Sequence, residues 1–182
     1  NLTVEAILSE NGNVVKEFSE TTDGIAVNFE AEIPNVKQWS AEIPNLYELV
    51  ITLKNGEDVV EVIRQNVGFR RIEIIDATLR VNGKYVYIKG ANLHEHNDKT
   101  GHVQDKETML LDIKTMKENN LNAVRTSHYP QPELWYELCN KYGLYIVDEA
   151  NIESHGMGYG AESLAKNEDW KAAHLYRTKN MF

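Results

Sequence analysis

The sequence is short of three things. It has a single cysteine, Cys139, so no disulfide forms within the chain. Basic residues are outnumbered, 19 Lys and Arg against 28 Asp and Glu, and the net charge of -9 argues against a nucleic-acid surface, which needs clustered Lys and Arg. No apolar run approaches the roughly 20 residues of a membrane span. There are three tryptophans in 182 residues. Trp135 lies on an apolar helical face and Trp39 between strand-like runs, which reads as packing and leaves no aromatic platform for a noncatalytic sugar-binding module. Cys139 sits in the apolar helical pattern Leu134–Cys139 and reads as a small buried residue. The chain starts at Asn1, so the lack of a signal-like segment leaves cytoplasm and periplasm both open.

What is present divides by period. Residues 1 to about 70 read as β structure, with short runs rich in Val, Ile and Phe at Leu2–Leu8, Val14–Phe18, Ile25–Ile33, Leu46–Leu53 and Val59–Val67. Asn11-Gly12 and Asn55-Gly56 separate neighbouring runs, as hairpin turns require. Ala26 to Ile33 alternates apolar and polar residues, which predicts a half-buried strand. A further hairpin is predicted at Thr78–Val81 and Tyr85–Ile88, about Asn82-Gly83.

Beyond it the period becomes helical. Met109, Leu110, Ile113, Met116 and Leu121 follow Asp105, a suitable N-cap. Ala123–Arg125 is the next strand, Pro132 opens a second helix that Gly143 closes, and Leu144–Val147 is the third strand. From Ala161 a weak helix is expected, with Trp170, Ala173 and Leu175 buried. Alternating strands and helices imply a parallel sheet. The fold class is therefore a multidomain β plus α/β chain: a partial immunoglobulin-like sandwich over residues 1–69, then the first three βα units of a (β/α)8 barrel over 70–182. Three units cannot close a barrel that takes about 250 residues, so the chain is expected to be a fragment.

Three polar segments mark strand ends, where such barrels carry their chemistry: Gly90–His96, Arg125–Pro130 and Val147–Gly156. His94 and His96, two apart, could share a metal, or His94 could hydrogen-bond a polar substrate while His96 supports a loop. Arg125 could hold a carboxylate ionised, or form an ordinary salt bridge below the pocket. Glu153 and His155 offer half a site for a divalent cation, with Asp148 and Glu149 orienting their neighbours. A metal-dependent barrel hydrolase would need a Lys or further His ligands at later strand ends.

These segments, with Trp39–Tyr47 and Val67–Arg70, resemble the large, magnesium-dependent β-galactosidases of glycoside hydrolase family 2. The first two strand ends are shared in looser form with β-glucuronidases of that family. Asp148-Glu149-Ala150-Asn151-Ile152-Glu153 followed by Ser154-His155-Gly156 is the discriminating run. The resemblance implies that His94 and His128 contact the galactosyl group and stabilise its transition state. It implies that Arg125 orients the nucleophilic carboxylate and that Glu153 and His155 ligate magnesium. It also implies a retaining double displacement by two glutamates, whose carboxyls such geometry holds about 5–5.5 Å apart.

Neither glutamate is assignable here. The family's acid/base lies in an Asn-Glu pair at the fourth barrel strand, and Asn167-Glu168 falls in the terminal helix with no strand before it. The acid/base is also a magnesium ligand, so the metal site is expected to be incomplete and the chain inactive alone. The implied partners are a β-galactoside, no nucleic acid and no membrane, in a homo-oligomeric parent. The open barrel edge predicts self-association of this chain, or else disorder in its terminal third.

Overall fold

Residues 1–182 are all described by a computed structural model. The Asn-Gly pairs do what their backbone freedom allows. Asn11 (φ 50°) and Gly12 (φ 81°), then Asn82 (φ 54°) and Gly83 (φ 76°), occupy the left-handed region that tight hairpins need. Asp76 and Ala77, also at positive φ, make a further tight turn that the sequence did not advertise. The chain divides into two units, Asn1–Tyr87 and Ile88–Phe182.

In the first unit, β1 (Leu2–Glu10), β2 (Asn13–Thr22), β3 (Tyr47–Asn55) and β4 (Asp58–Val67) form an antiparallel sheet in the order β2-β1-β3-β4. A three-stranded antiparallel sheet follows, built from β5 (Ile72–Ile75), β6 (Thr78–Val81) and β7 (Lys84–Tyr85). The strand expected at Ile25–Ile33 is not formed. Its alternation is real, but a strand also needs a backbone partner, and β1 to β4 pair only with one another. The segment instead crosses irregularly, stacking Phe29 on Phe18 with ring centroids 5.0 Å apart. One sheet of the expected sandwich is thus present, with irregular chain between β2 and β3.

Trp39 is buried, as its position between the strand runs implied. Its amide donates to the Phe69 carbonyl (2.8 Å), and its own carbonyl accepts from Asn82 Nδ2 (3.0 Å). The Arg70 guanidinium lies 5.1 Å from its ring centroid. Gly68 has no side chain because a Cβ there would stand 3.1 Å from the Trp39 side chain. The indole is a packing element and no sugar platform.

The second unit begins with β8 (Gly90–Leu93), a strand made of the first polar segment itself; the Val86–Ile88 run before it is irregular. The strands β9 (Ala123–Thr126) and β10 (Tyr145–Val147) complete a parallel sheet in the order β10-β9-β8. Between them run α1 (Lys106–Glu118) and α2 (Glu133–Tyr142). Asp105 caps α1, its carboxylate accepting the Thr108 amide and hydroxyl, each at 2.8 Å. Met109, Ile113 and Met116 recur at helical spacing and bury one face of α1. Trp135, Leu138 and Cys139 do the same on α2, which Gly143 ends at φ 78°. These side chains meet Leu93, Val124 and Leu144 in the core. Burial pushes the Cys139 thiol up to about 12, so it is inert.

α3 (Glu168–Met181) has no buried residue. Trp170 (44% exposed) and Leu175 (63%) are not the core positions that the sequence pattern suggested, and Ala173 is only partly covered. α3 instead lies against the irregular segment after β10, where Trp170 and Ala173 share a pocket with Ile152 and Leu164 and Arg177 donates to the Asn151 carbonyl (2.6 Å). No helix is long and apolar enough to cross a membrane.

Candidate active site

The register of the parallel sheet places the site. Arg125 on β9 pairs with Asn92 on β8 and Val147 on β10, one residue before β9 ends. Its Nη1 reaches the Asn92 side-chain oxygen at 3.4 Å. Two adjacent carboxylates follow β10, and the structure divides them between two tasks. Asp148 accepts from Thr126 Oγ1 (2.7 Å) and from the Tyr136 hydroxyl (3.0 Å), which in turn accepts the Gln131 amide (2.8 Å). Burial, opposed by that amide and assisted by Asp148, pushes the Tyr136 hydroxyl up to about 12, so it remains a donor. This ties α2 to the strand ends.

Glu149 serves the other side. Its Oε1 accepts from Arg125 Nε, and its Oε2 lies 2.9 Å from His128 Nδ1. The Arg125 hydrogen bond holds the Glu149 carboxyl below the ordinary glutamate range; partial burial opposes it and His128 assists. His128 Nδ1 also lies 3.2 Å from Arg125 Nη2 and 3.5 Å from Glu153 Oε2. The His94 ring meets the His128 ring edge-on, with centroids 5.5 Å apart.

A polar cleft of about 430 Å³ lies over this cluster. Arg125, His128, Glu153 and His155 line it, together with Ile152 and Tyr159. Four of the five residues singled out from the sequence therefore share one cavity, and the fifth, His94, abuts it through His128. His94 and His96 do not act as a strand pair. β8 ends at Leu93, the His96 amide turns back onto the His94 carbonyl (2.8 Å), and the His96 ring lies tilted against that of His102 with centroids 4.2 Å apart.

Glu153 and His155 both line the cleft. The Glu153 carboxylate supplies hard oxygen donors to the cleft, one of which already accepts the His155 amide at 2.8 Å. No three His, Cys, Asp or Glu side chains converge with metal-site geometry. Asn167-Glu168 starts α3, where Asn167 accepts the Asp169 amide (3.0 Å), so no strand presents Glu168 to the cleft. Tyr159, whose ring lies 4.8 Å from that of His155, escaped the sequence reading. It stands in a Gly158-Tyr159-Gly160 loop with no periodic signal.

Comparison with known proteins adds to this geometry. Residues 72–182 match the TIM barrel domain of the glycosyl hydrolases of family 2, and residues 2–70 match a further domain of family 2. A β-galactosidase of Streptococcus thermophilus is 44% identical over 187 aligned residues, covering 98% of this chain and 18% of that protein. One of Oenococcus oeni is 56% identical over 120 residues, covering 65% of this chain and 12% of its own length. Among solved structures, a β-glucuronidase of Ruminococcus gnavus in complex with D-glucaro 1,5-lactone superposes with a TM-score of 0.81 at 27% identity, covering 98% of this chain and 30% of that one. The chain spans under a fifth of the length of the curated relatives it matches.

Proposed function

The chain belongs to family 2 of the glycosyl hydrolases, and from that premise we propose that it is part of a retaining β-galactosidase, cleaving terminal β-D-galactose residues. The observation that carries the reading is the convergence of Arg125, His128, Glu153 and His155 on one cleft at the ends of parallel strands. Named curated relatives at 42–56% identity are β-galactosidases, which favours galactose.

In this reading His94 and His128 contact the galactosyl ring. Arg125 presents its remaining N–H groups to the nucleophilic carboxylate, and Glu153 and His155 would supply two donors to magnesium. Bound magnesium would supply positive charge to the cleft. The acid/base and nucleophile are not among these residues, so the chain alone is inactive and its affinity for magnesium weak. A β-glucuronidase is the second reading, favoured by the superposition on the Ruminococcus gnavus enzyme.

The test is hydrolysis of aryl β-galactoside and aryl β-glucuronide, with magnesium, by this chain and by a C-terminally extended one. Galactoside cleavage by the extended chain only is the expected result. Cleavage by the short chain would place the catalytic carboxylates among residues assigned otherwise, and glucuronide cleavage alone would select the second reading.

A further inference from the structure

We infer that Glu149 is a positioning residue that decides which ring nitrogen of His128 carries the proton, keeping it on Nδ1 and leaving Nε2 as an acceptor for a sugar hydroxyl. The inference rests on the reading that His128 faces the glycoside. Three groups compete for Nδ1: Glu149 Oε2 at 2.9 Å, Arg125 Nη2 at 3.2 Å and Glu153 Oε2 at 3.5 Å. A carboxylate only accepts and a guanidinium only donates. Glu149 makes the shortest of these contacts, shorter than that of the guanidinium, and Arg125 already gives its Nε proton to the same carboxylate, so Nδ1 donates. Nε2 makes no hydrogen bond within the chain, and the ring lines the cleft, whereas Glu149 does not.

The chemistry of Glu149 makes this a sharp assignment. Its two oxygens take one donor each, Arg125 Nε and His128 Nδ1. A glutamine in its place has one acceptor and one donor group. Arginine does not give up its proton, so the amide oxygen must stay on Arg125. The amide NH₂ then faces Nδ1, which must become an acceptor, and the ring proton moves to Nε2. Glu149→Gln thus inverts the polarity of the cleft-facing nitrogen from acceptor to donor at almost constant shape.

The experiment is long-range ¹H–¹⁵N spectroscopy of the histidine side chains in this chain, at about pH 8.5, well above the ordinary histidine pKa. His128 is identified by the signals lost in His128→Phe. The expected result is a protonated-type Nδ1 and an unprotonated-type Nε2, exchanged in Glu149→Gln and unchanged in Arg125→Met. A protonated Nε2 in the unsubstituted chain overturns the inference, as does a Glu149→Gln spectrum with the proton still on Nδ1. A proton that moves in Arg125→Met gives the role to the arginine and also overturns it. Should Glu149→Gln not fold, Glu153→Gln decides: an unchanged proton leaves the role with Glu149, and a moved one overturns the inference. None of these readouts depends on hydrolysis, so failure of the galactosidase reading shows separately, in the aryl glycoside assay.

Discussion

A Cβ on Gly90 would stand 2.8 Å from the carbonyl oxygen of Ala123, closer than a methyl group and a backbone oxygen can approach. β8 and β9 can run side by side here only because residue 90 has no side chain. Gly90→Ala is therefore expected to strain the start of β8, at a cost of about 1–3 kcal/mol, the usual range for overpacking. Urea unfolding followed by helix ellipticity checks it; an unchanged midpoint would mean that the strands separate freely.

The acid limb of stability is expected to depend on Glu149. Its carboxyl is held below the ordinary value by the Arg125 hydrogen bond, so the unfolded chain binds this proton at a higher pH than the folded one. Its contribution is complete above the unfolded glutamate pKa, about 4.3, and is lost as pH falls through the lower folded value. Urea midpoints measured from pH 6 downward should fall more steeply for the unsubstituted chain than for Glu149→Gln. Parallel curves would show that the ion pair adds nothing.

Two positions on α1 give a contrast within one helix. Ile113 is 1% exposed and Leu111 62%. Ile113→Ala should cost about 2–5 kcal/mol, as large cavities do. Leu111→Ala should stay within about 0.5 kcal/mol. Chemical denaturation of both variants tests the orientation of α1, and equal losses would refute it.

In an extended chain that hydrolyses the galactoside, His128→Phe should lower kcat/KM by at least a hundredfold, equivalent to about 2.7 kcal/mol of transition-state stabilisation. Its Tm should barely change, because the ring lies against polar groups at a cleft and not in the core. Parallel losses of rate and Tm would make it a packing residue.

β10 is an edge strand, and Val147 on it is 50% exposed. Unpaired parallel edges beside uncovered apolar residues favour association. Sedimentation velocity is expected to show mass rising with concentration, and Val147→Lys to reduce the effect. A monomer at every concentration would overturn this expectation.

Much of the second unit was legible because helical spacing and cap chemistry act locally. Asp105, Gly143 and the Met109, Ile113, Met116 stripe needed only their neighbours in sequence. The exposure of Trp170 and the irregular path of Ile25–Ile33 were not legible, because each turns on whether a partner surface exists elsewhere. The site divides the same way. Polar runs after apolar ones located Arg125, His128, Glu153 and His155. That Glu149 serves Arg125 and His128 while its neighbour Asp148 serves Thr126 and Tyr136 emerges only from register and side-chain reach.

That division between consecutive carboxylates has a consequence for engineering the cleft. Tyr136 belongs to α2 and is absent from the cleft lining, yet its hydroxyl holds the residue next to Glu149. A library aimed at the cleft wall could vary Ile152, Ser154 or Tyr159 with little propagation. The same freedom at Tyr136 would shift the peptide that carries Glu149, and with it Arg125 and His128 together. Substitution tolerance in this unit should therefore follow the hydrogen-bond chain through Asp148 more closely than distance from the cleft.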